Sequence, residues 1–172
     1  WPESRESLPK QFIPIVDGKS LLDLTIERVI KISSKKNPIF ITNKKHGFLV
    51  KKSIEKYDLK ADLFLEPEGK NTCAAIYLAA KYCLKDEPLL IMPSDHLIPD
   101  VKEFKKNIQS IQKNFTFGSW ITLGIIPTKP SEAYGYIKVA SKKEDTFYKV
   151  QNFIEKPNKR TASKFIKSDN YY

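Results

Sequence analysis

Pro88-Leu89-Leu90-Ile91-Met92 is an uninterrupted apolar run that ends at Pro93, and Ser94-Asp95-His96 follow at once. An apolar stretch of strand length with no polar alternation suits the centre of a parallel sheet, where both faces of the strand are covered. Proline cannot donate to a ladder, so Pro93 marks the strand's end, and the polar residues after it fall at its carboxyl edge.

The rest of the chain alternates between such runs and helical stripes. Ser20 and Asp23 form a capping-box-like start to a helix whose predicted buried stripe is Leu21, Leu22, Ile26, Val29 and Ile30. After Pro38 comes a β-branched strand, Ile39-Phe40-Ile41-Thr42-Asn43, then a predicted helix from about His46 to Tyr57. Asp62 to Glu66 reads as a strand ended by Pro67, and Asn71 to Leu84 as an Ala-rich helix capped by Asn71 or Thr72. A helix over Val101 to Lys113 and strands over Trp120 to Ile126, Tyr134 to Ala140 and Thr146 to Ile154 complete the pattern. Alternation of this kind predicts an α/β sheet with right-handed crossovers. With 172 residues, no internal repeat and no low-complexity linker, one domain is the simplest expectation. The chain opens on Trp1 and closes on Tyr171-Tyr172, so both ends read as cuts through a larger domain. No apolar run approaches the ~20 residues of a membrane span. No basic-then-apolar leader opens the sequence, and a cytoplasmic protein without a membrane partner is expected.

Charge narrows the partners. The net charge of +10 would suit nucleic acid, but 27 of the 30 basic residues are Lys and only Arg5, Arg28 and Arg160 are Arg. Base readout and phosphate forks favour Arg. The pairs Lys35-Lys36, Lys44-Lys45, Lys51-Lys52, Lys105-Lys106 and Lys142-Lys143 are spread evenly, without interleaved aromatics. A solvated surface that attracts anionic substrates is expected, with no nucleic-acid partner. A Lys-rich nucleic-acid-binding module is the competing class, and it predicts steeply salt-dependent DNA or RNA binding. Cys73 and Cys83 match no metal or disulfide spacing and read as packing residues of one helix in a reducing compartment.

In open α/β sheets ligands sit beyond the carboxyl ends of the strands, so the polar residues there are the candidates. Asp95 follows the most apolar strand, where a lone carboxylate can hold Mg²⁺ whose other oxygens come from substrate phosphates. A loop Asp can also cap the following helix, but Asp100 lies closer to it. His96 reads as packing or support rather than as a ligand or base. Glu66-Pro67-Glu68-Gly69-Lys70-Asn71-Thr72 joins a carboxylate, a Gly that permits close approach and a helix N-terminus that favours phosphate. Glu66 could accept from the two adjacent donors on a guanine edge, although an ordinary turn before an N-cap fits the same residues. Glu155-Lys156, in Phe153-Ile154-Glu155-Lys156-Pro157, suits sugar hydroxyls and a phosphate, or makes a surface ion pair. Tyr134-Gly135-Tyr136 can lay an aromatic face on a sugar ring or pack around a bulge. Lys10, in Pro9-Lys10-Gln11-Phe12 ahead of a Val16-Asp17-Gly18-Lys19 turn, is uninformative by chemistry alone.

Together these pieces resemble the hexose-1-phosphate nucleotidyltransferases, and within them the bacterial mannose-1-phosphate guanylyltransferases. The resemblance rests on W-P-E-S-R-E-S-L-P-K-Q-F (1–12), E-P-E-G-K-N-T (66–72), P-S-D-H (93–96), Y-G-Y-I (134–137) and F-I-E-K-P (153–157), which span the chain. Pro-Lys-Gln together with Glu-Pro and Lys-Asn-Thr marks the guanylyl branch.

The resemblance implies a Rossmann-like, glycosyltransferase-A-like fold with a mostly parallel mixed sheet flanked by helices, incomplete at both ends. Residues 1–172 would be a partial nucleotidyltransferase domain that makes GDP-mannose and pyrophosphate from GTP and mannose 1-phosphate. Lys10 would steady the α-phosphoryl group and Asp95 would bind Mg²⁺. Glu66, Pro67, Lys70, Asn71 and Thr72 would line the guanosine pocket. Tyr134, Gly135, Glu155 and Lys156 would hold the sugar phosphate. The family's Gly-rich loop with its Arg is expected before Trp1 and a second metal carboxylate after Tyr172, so the isolated stretch is expected to be inactive. Cys73-Ala74 stands where Ala-Pro is usual. The branch often carries a C-terminal phosphomannose isomerase domain, and a homodimer is compatible with it. Another NTP and hexose-1-phosphate pair is the neighbouring reading, which a substrate panel separates.

Overall fold

The computed structural model describes residues 5–32, 37–69, 71–84, 86–144 and 147–172. They gather into two compact units, 1–108 and 109–172.

In the first unit a short hairpin leads into a helix. Strands β1 (Pro14–Val16) and β2 (Lys19–Ser20) pair antiparallel. The chain reverses through Asp17 at φ 48° and Gly18 at φ 73°, the left-handed pair that an Asp-Gly hairpin turn supplies at least cost. Helix α1 (Leu21–Ile32) starts on the expected capping box. The Ser20 N–H donates to Asp23 Oδ2 at 3.1 Å, and the Asp23 N–H donates to Ser20 Oγ at 3.1 Å. Leu22 and Ile26 form a core with Val50, and Phe12, Phe40, Ile54, Tyr57, Leu59 and Leu63 pack around it.

The buried stripe of α1 departs from the periodicity at both edges. Ile30 is 45% exposed, while Asp23, Thr25 and Arg28 are buried. The helix is enclosed on more than one side, so polar positions go inside with it, each needing an internal partner.

Strands β3 (Ile39–Asn43) and β4 (Asp62–Glu66) pair parallel and in register, from Ile39 opposite Asp62 to Asn43 opposite Glu66. The connection is a 3₁₀ turn, Lys44–His46, and helix α2 (Gly47–Lys56). Asn43 Oδ1 starts that turn by accepting from the Lys45 N–H at 2.9 Å.

Helix α3 (Asn71–Tyr82) ends before the expected Leu84 and buries only Ala79 among its described residues. Cys73 is exposed and Cys83 half-buried, so the packing role expected of Cys73 is not met. Helix α4 (Val101–Asn114) is capped as expected, with Asp100 Oδ1 accepting from the Glu103 N–H at 2.8 Å.

The expected strand at Pro88–Met92 forms no ladder, and neither does Trp120–Ile126 in the second unit. A buried parallel strand needs neighbours on both edges to satisfy its N–H and C=O groups. Among the described residues neither segment has them. Leu89, Leu90 and Ile91 accordingly stay 36%, 47% and 40% exposed. Among the described residues the strands make three two-stranded sheets, one parallel and two antiparallel. The α/β alternation itself holds.

The second unit is built on a long antiparallel hairpin, β5 (Tyr136–Glu144) with β6 (Phe147–Ile154). Thr146, expected to open the second of these strands, lies outside the described residues. Helix α5 (Lys159–Phe165) follows, with Asn158 Oδ1 accepting from the Thr161 N–H at 2.9 Å. The C-terminal residues lie along β5, where the Ile137 N–H donates to Tyr172 O at 2.7 Å and the Tyr172 N–H donates back at 3.0 Å. Phe165 and Tyr171 stack at 4.1 Å over this join. No helix among the described residues is long and apolar enough to cross a membrane.

Candidate functional site

Lys10 lies in a 3₁₀ turn that follows Pro9, and Asp95 in the loop that follows Pro93. They are 85 positions apart in sequence, yet Lys10 Nζ stands 3.0 Å from Asp95 Oδ2. Asp100 takes the capping of α4, which leaves Asp95 without that structural duty. The hydrogen bond from Lys10 holds the Asp95 carboxyl below the usual carboxylate range, against burial, which pushes it up. The Asp95 side chain is 38% exposed and that of Lys10 64%, so both are open to a ligand.

The Asp95 loop is tied to α1 from below. The Arg28 guanidinium donates through Nη2 to the His96 carbonyl oxygen at 3.0 Å. His96 itself is exposed, so its backbone, not its imidazole, is what the fold uses. The sequence reading passed over Arg28; the available signal was Thr25 three residues earlier, on the same helix face as the apolar stripe.

Glu66 is the last residue of β4, half-buried and opposite Asn43. This is the carboxyl end of the parallel pair, the edge where α/β sheets gather ligands. Pro67, Glu68 and Gly69 are exposed, and Gly69 has nothing within 4 Å of the place a Cβ would take. Lys70 lies outside the described residues. Asn71 and Thr72 open α3, both exposed, with Asn71 at φ 58°. Asn is among the few residues that tolerate that left-handed conformation.

Arg5, Glu6, Ser7, Lys45 and His46 line an open concavity of about 460 Å³. Glu6 and Lys45 bridge it at 2.7 Å.

In the second unit Glu155 and Lys156 follow β6, with Lys156 Nζ 3.5 Å from Glu155 Oε1 and both side chains more than half exposed. Lys156 sits at φ 44°, a left-handed conformation that costs a non-glycine residue about 1 kcal/mol or more. A Cβ on Gly135 would run into the ring of the exposed Phe153, which would have to swing aside to admit it. Tyr136 is buried, with its hydroxyl donating to Ser131 O at 3.2 Å and accepting from the Ser131 N–H at 2.9 Å. Tyr134, by contrast, is 70% exposed and free to meet a ligand.

Among the described residues no three His, Cys, Asp or Glu side chains are grouped to hold a metal by themselves. A single accessible carboxylate such as Asp95 would suit a hard divalent cation only where phosphates supply most of its oxygens and draw Lys10 away.

The nucleotidyl transferase family profile matches residues 1–172. Mannose-1-phosphate guanylyltransferase of Salmonella montevideo is 38% identical over 180 residues, covering all of this chain and 38% of that protein. A crystal structure from Thermus thermophilus, named mannose-1-phosphate geranyltransferase, matches with a TM-score of 0.87 at 31% identity, covering 99% of this chain and 50% of that one. The crystal structure of mannose-6-phosphate isomerase from Helicobacter pylori matches with a TM-score of 0.86 at 32% identity, covering 98% of this chain and 64% of that one. The chain therefore spans only part of the length of these relatives.

Proposed function

Because this chain belongs to the nucleotidyl transferase family, we propose that the whole protein transfers the guanylyl group of GTP to mannose 1-phosphate. Residues 1–172 supply much of the nucleotidyltransferase domain. The reading is carried by the 3.0 Å pairing of Lys10 with Asp95 at the end of the apolar run, together with the guanylyltransferase relative.

In this reaction a phosphate oxygen of mannose 1-phosphate bonds to the α-phosphorus of GTP, and the bond from that phosphorus to the bridging oxygen breaks. The products are GDP-mannose and pyrophosphate. The substrate is its own nucleophile, so the protein needs positioning and charge rather than a nucleophilic side chain. Lys10 turns from Asp95 to the phosphates and neutralises charge that builds on the α-phosphoryl oxygens. Asp95 would hold Mg²⁺, which would offset the charge of the polyphosphate. Glu66 accepts from the paired donors of the guanine edge, and Pro67, Lys70, Asn71 and Thr72 form the rest of the nucleotide pocket. Tyr134, Gly135, Glu155 and Lys156 hold the sugar phosphate, the carboxylate on hydroxyls and the lysine on phosphate.

The test is a panel of four NTPs against mannose and glucose 1-phosphates, run with the whole protein and with Glu66→Gln. GTP with mannose 1-phosphate should be preferred. The variant should lose about ten- to hundredfold of its discrimination against ATP, because its NH₂ faces a donor where the carboxylate accepted. Equal use of all four nucleotides by the unmodified protein refutes the guanylyl reading; unchanged discrimination in the variant removes Glu66 from it.

A further inference from the structure

Arg28 is 2% exposed, and among the described residues no carboxylate stands within ion-pair distance of it. Its Nε is buried with no hydrogen-bond partner. A buried cation without a counter-ion costs several kcal/mol, and an apolar residue of similar length would avoid that cost. What the guanidinium does in return is specific. Nη2 donates to Thr25 Oγ1 at 2.6 Å and to the His96 carbonyl at 3.0 Å. The Thr25 hydroxyl, in turn, donates to Leu21 O at 2.9 Å, which fixes the rotor that receives the arginine. The chain of bonds runs from the first turn of a capped helix to the backbone one residue past Asp95.

We infer that Arg28 is a positioning residue, which anchors the Asp95 loop to α1 and so sets where that carboxylate stands. The inference rests on the proposed role of Asp95. The Lys10 contact cannot serve as the anchor, since Lys10 is mostly exposed and is required at the phosphates. The His96 carbonyl can, because a charged donor held by a threonine is stiffer than a solvated lysine. Helix, guanidinium and loop then form one rigid support, of the kind that orients metal-binding groups from behind.

The experiment uses the whole protein with Arg28→Met, Arg28→Lys, Thr25→Val and, as the reference, Asp95→Asn. Thermal unfolding, kcat and KM for both substrates, and Mn²⁺ binding in the presence of GTP, followed by water-proton relaxation, are measured for each. Arg28→Met should keep its melting temperature or raise it. It should nonetheless lose about ten- to hundredfold in kcat and in Mn²⁺ affinity, with KM for mannose 1-phosphate nearly unchanged. Arg28→Lys, which still reaches one carbonyl, should recover part of that loss. Thr25→Val should fall between them, and it decides the matter if Arg28→Met does not fold. The inference is overturned if Arg28→Met or, failing that, Thr25→Val keeps kcat and Mn²⁺ affinity while Asp95→Asn loses them. If Asp95→Asn itself is unaffected, the reading of Asp95 goes, and the anchor with it.

Discussion

Replacing Asp95 by Asn separates stability from catalysis at the pair that the functional reading depends on. The change keeps the shape of the side chain and removes its charge, so Lys10 loses the partner that stands 3.0 Å away. With side chains 64% and 38% exposed, the pair is solvated enough that its loss should cost folding only about 0.2–1 kcal/mol. In the reaction the same carboxylate would work beside three phosphates, where a misplaced or missing charge costs about 10²–10³ in rate, or roughly 3–4 kcal/mol. The two magnitudes differ severalfold, so they cannot be confused. Urea unfolding gives the first and initial rates of GDP-mannose formation by the whole protein give the second. A double-mutant cycle with Lys10→Met should show weak coupling in stability and strong coupling in rate. If the rate falls no more than about fivefold, well short of the loss expected for a missing charge at the phosphates, the reasoning is refuted.

Two further outcomes follow from α1. Ile26 is fully buried and Ile30 is 45% exposed, so Ile26→Ala should cost about 2–5 kcal/mol in urea unfolding and Ile30→Ala well under half of that; equal losses would contradict the packing. Asp23 has a carboxyl that burial would raise, but the Ser20 N–H, Lys56 at 3.0 Å and the Ser20 hydroxyl together hold it below the usual range. A carboxyl lowered in the fold contributes stability above its unfolded value and loses it as pH falls through its folded value. Asp23→Asn should therefore be less stable than the parent by about 1 kcal/mol at neutral pH, with the gap closing in acid; a gap independent of pH would contradict the assignment.

Local chemistry was legible wherever a short-range rule decides. The Ser20–Asp23 box, the Asp17-Gly18 reversal, the Asp100 cap and the β3 and β4 runs all depend on residues within a few positions of one another. Pro88–Met92 was legible as apolar but not as unpaired, because a ladder depends on a neighbour distant in sequence. The bond from Arg28 to the His96 carbonyl was not legible for the same reason, since its two ends lie 68 positions apart. Lys10 and Asp95 were singled out separately, Asp95 by its place after a strand and Lys10 only by resemblance. Their contact is a property of the fold.

The ring of Phe153 resting on Gly135 has a bearing on the hairpin as a whole. The ladder between Tyr136–Glu144 and Phe147–Ile154 changes register twice, at Lys138/Val139 and again before Lys143. Sliding one strand by a single residue would turn every side chain to the opposite face and bring Asn152 or Ile154 over the bare backbone. Glycine and phenylalanine thus act as key and keyway, and the same alignment fixes how far Glu155 and Lys156 project past the end of the sheet.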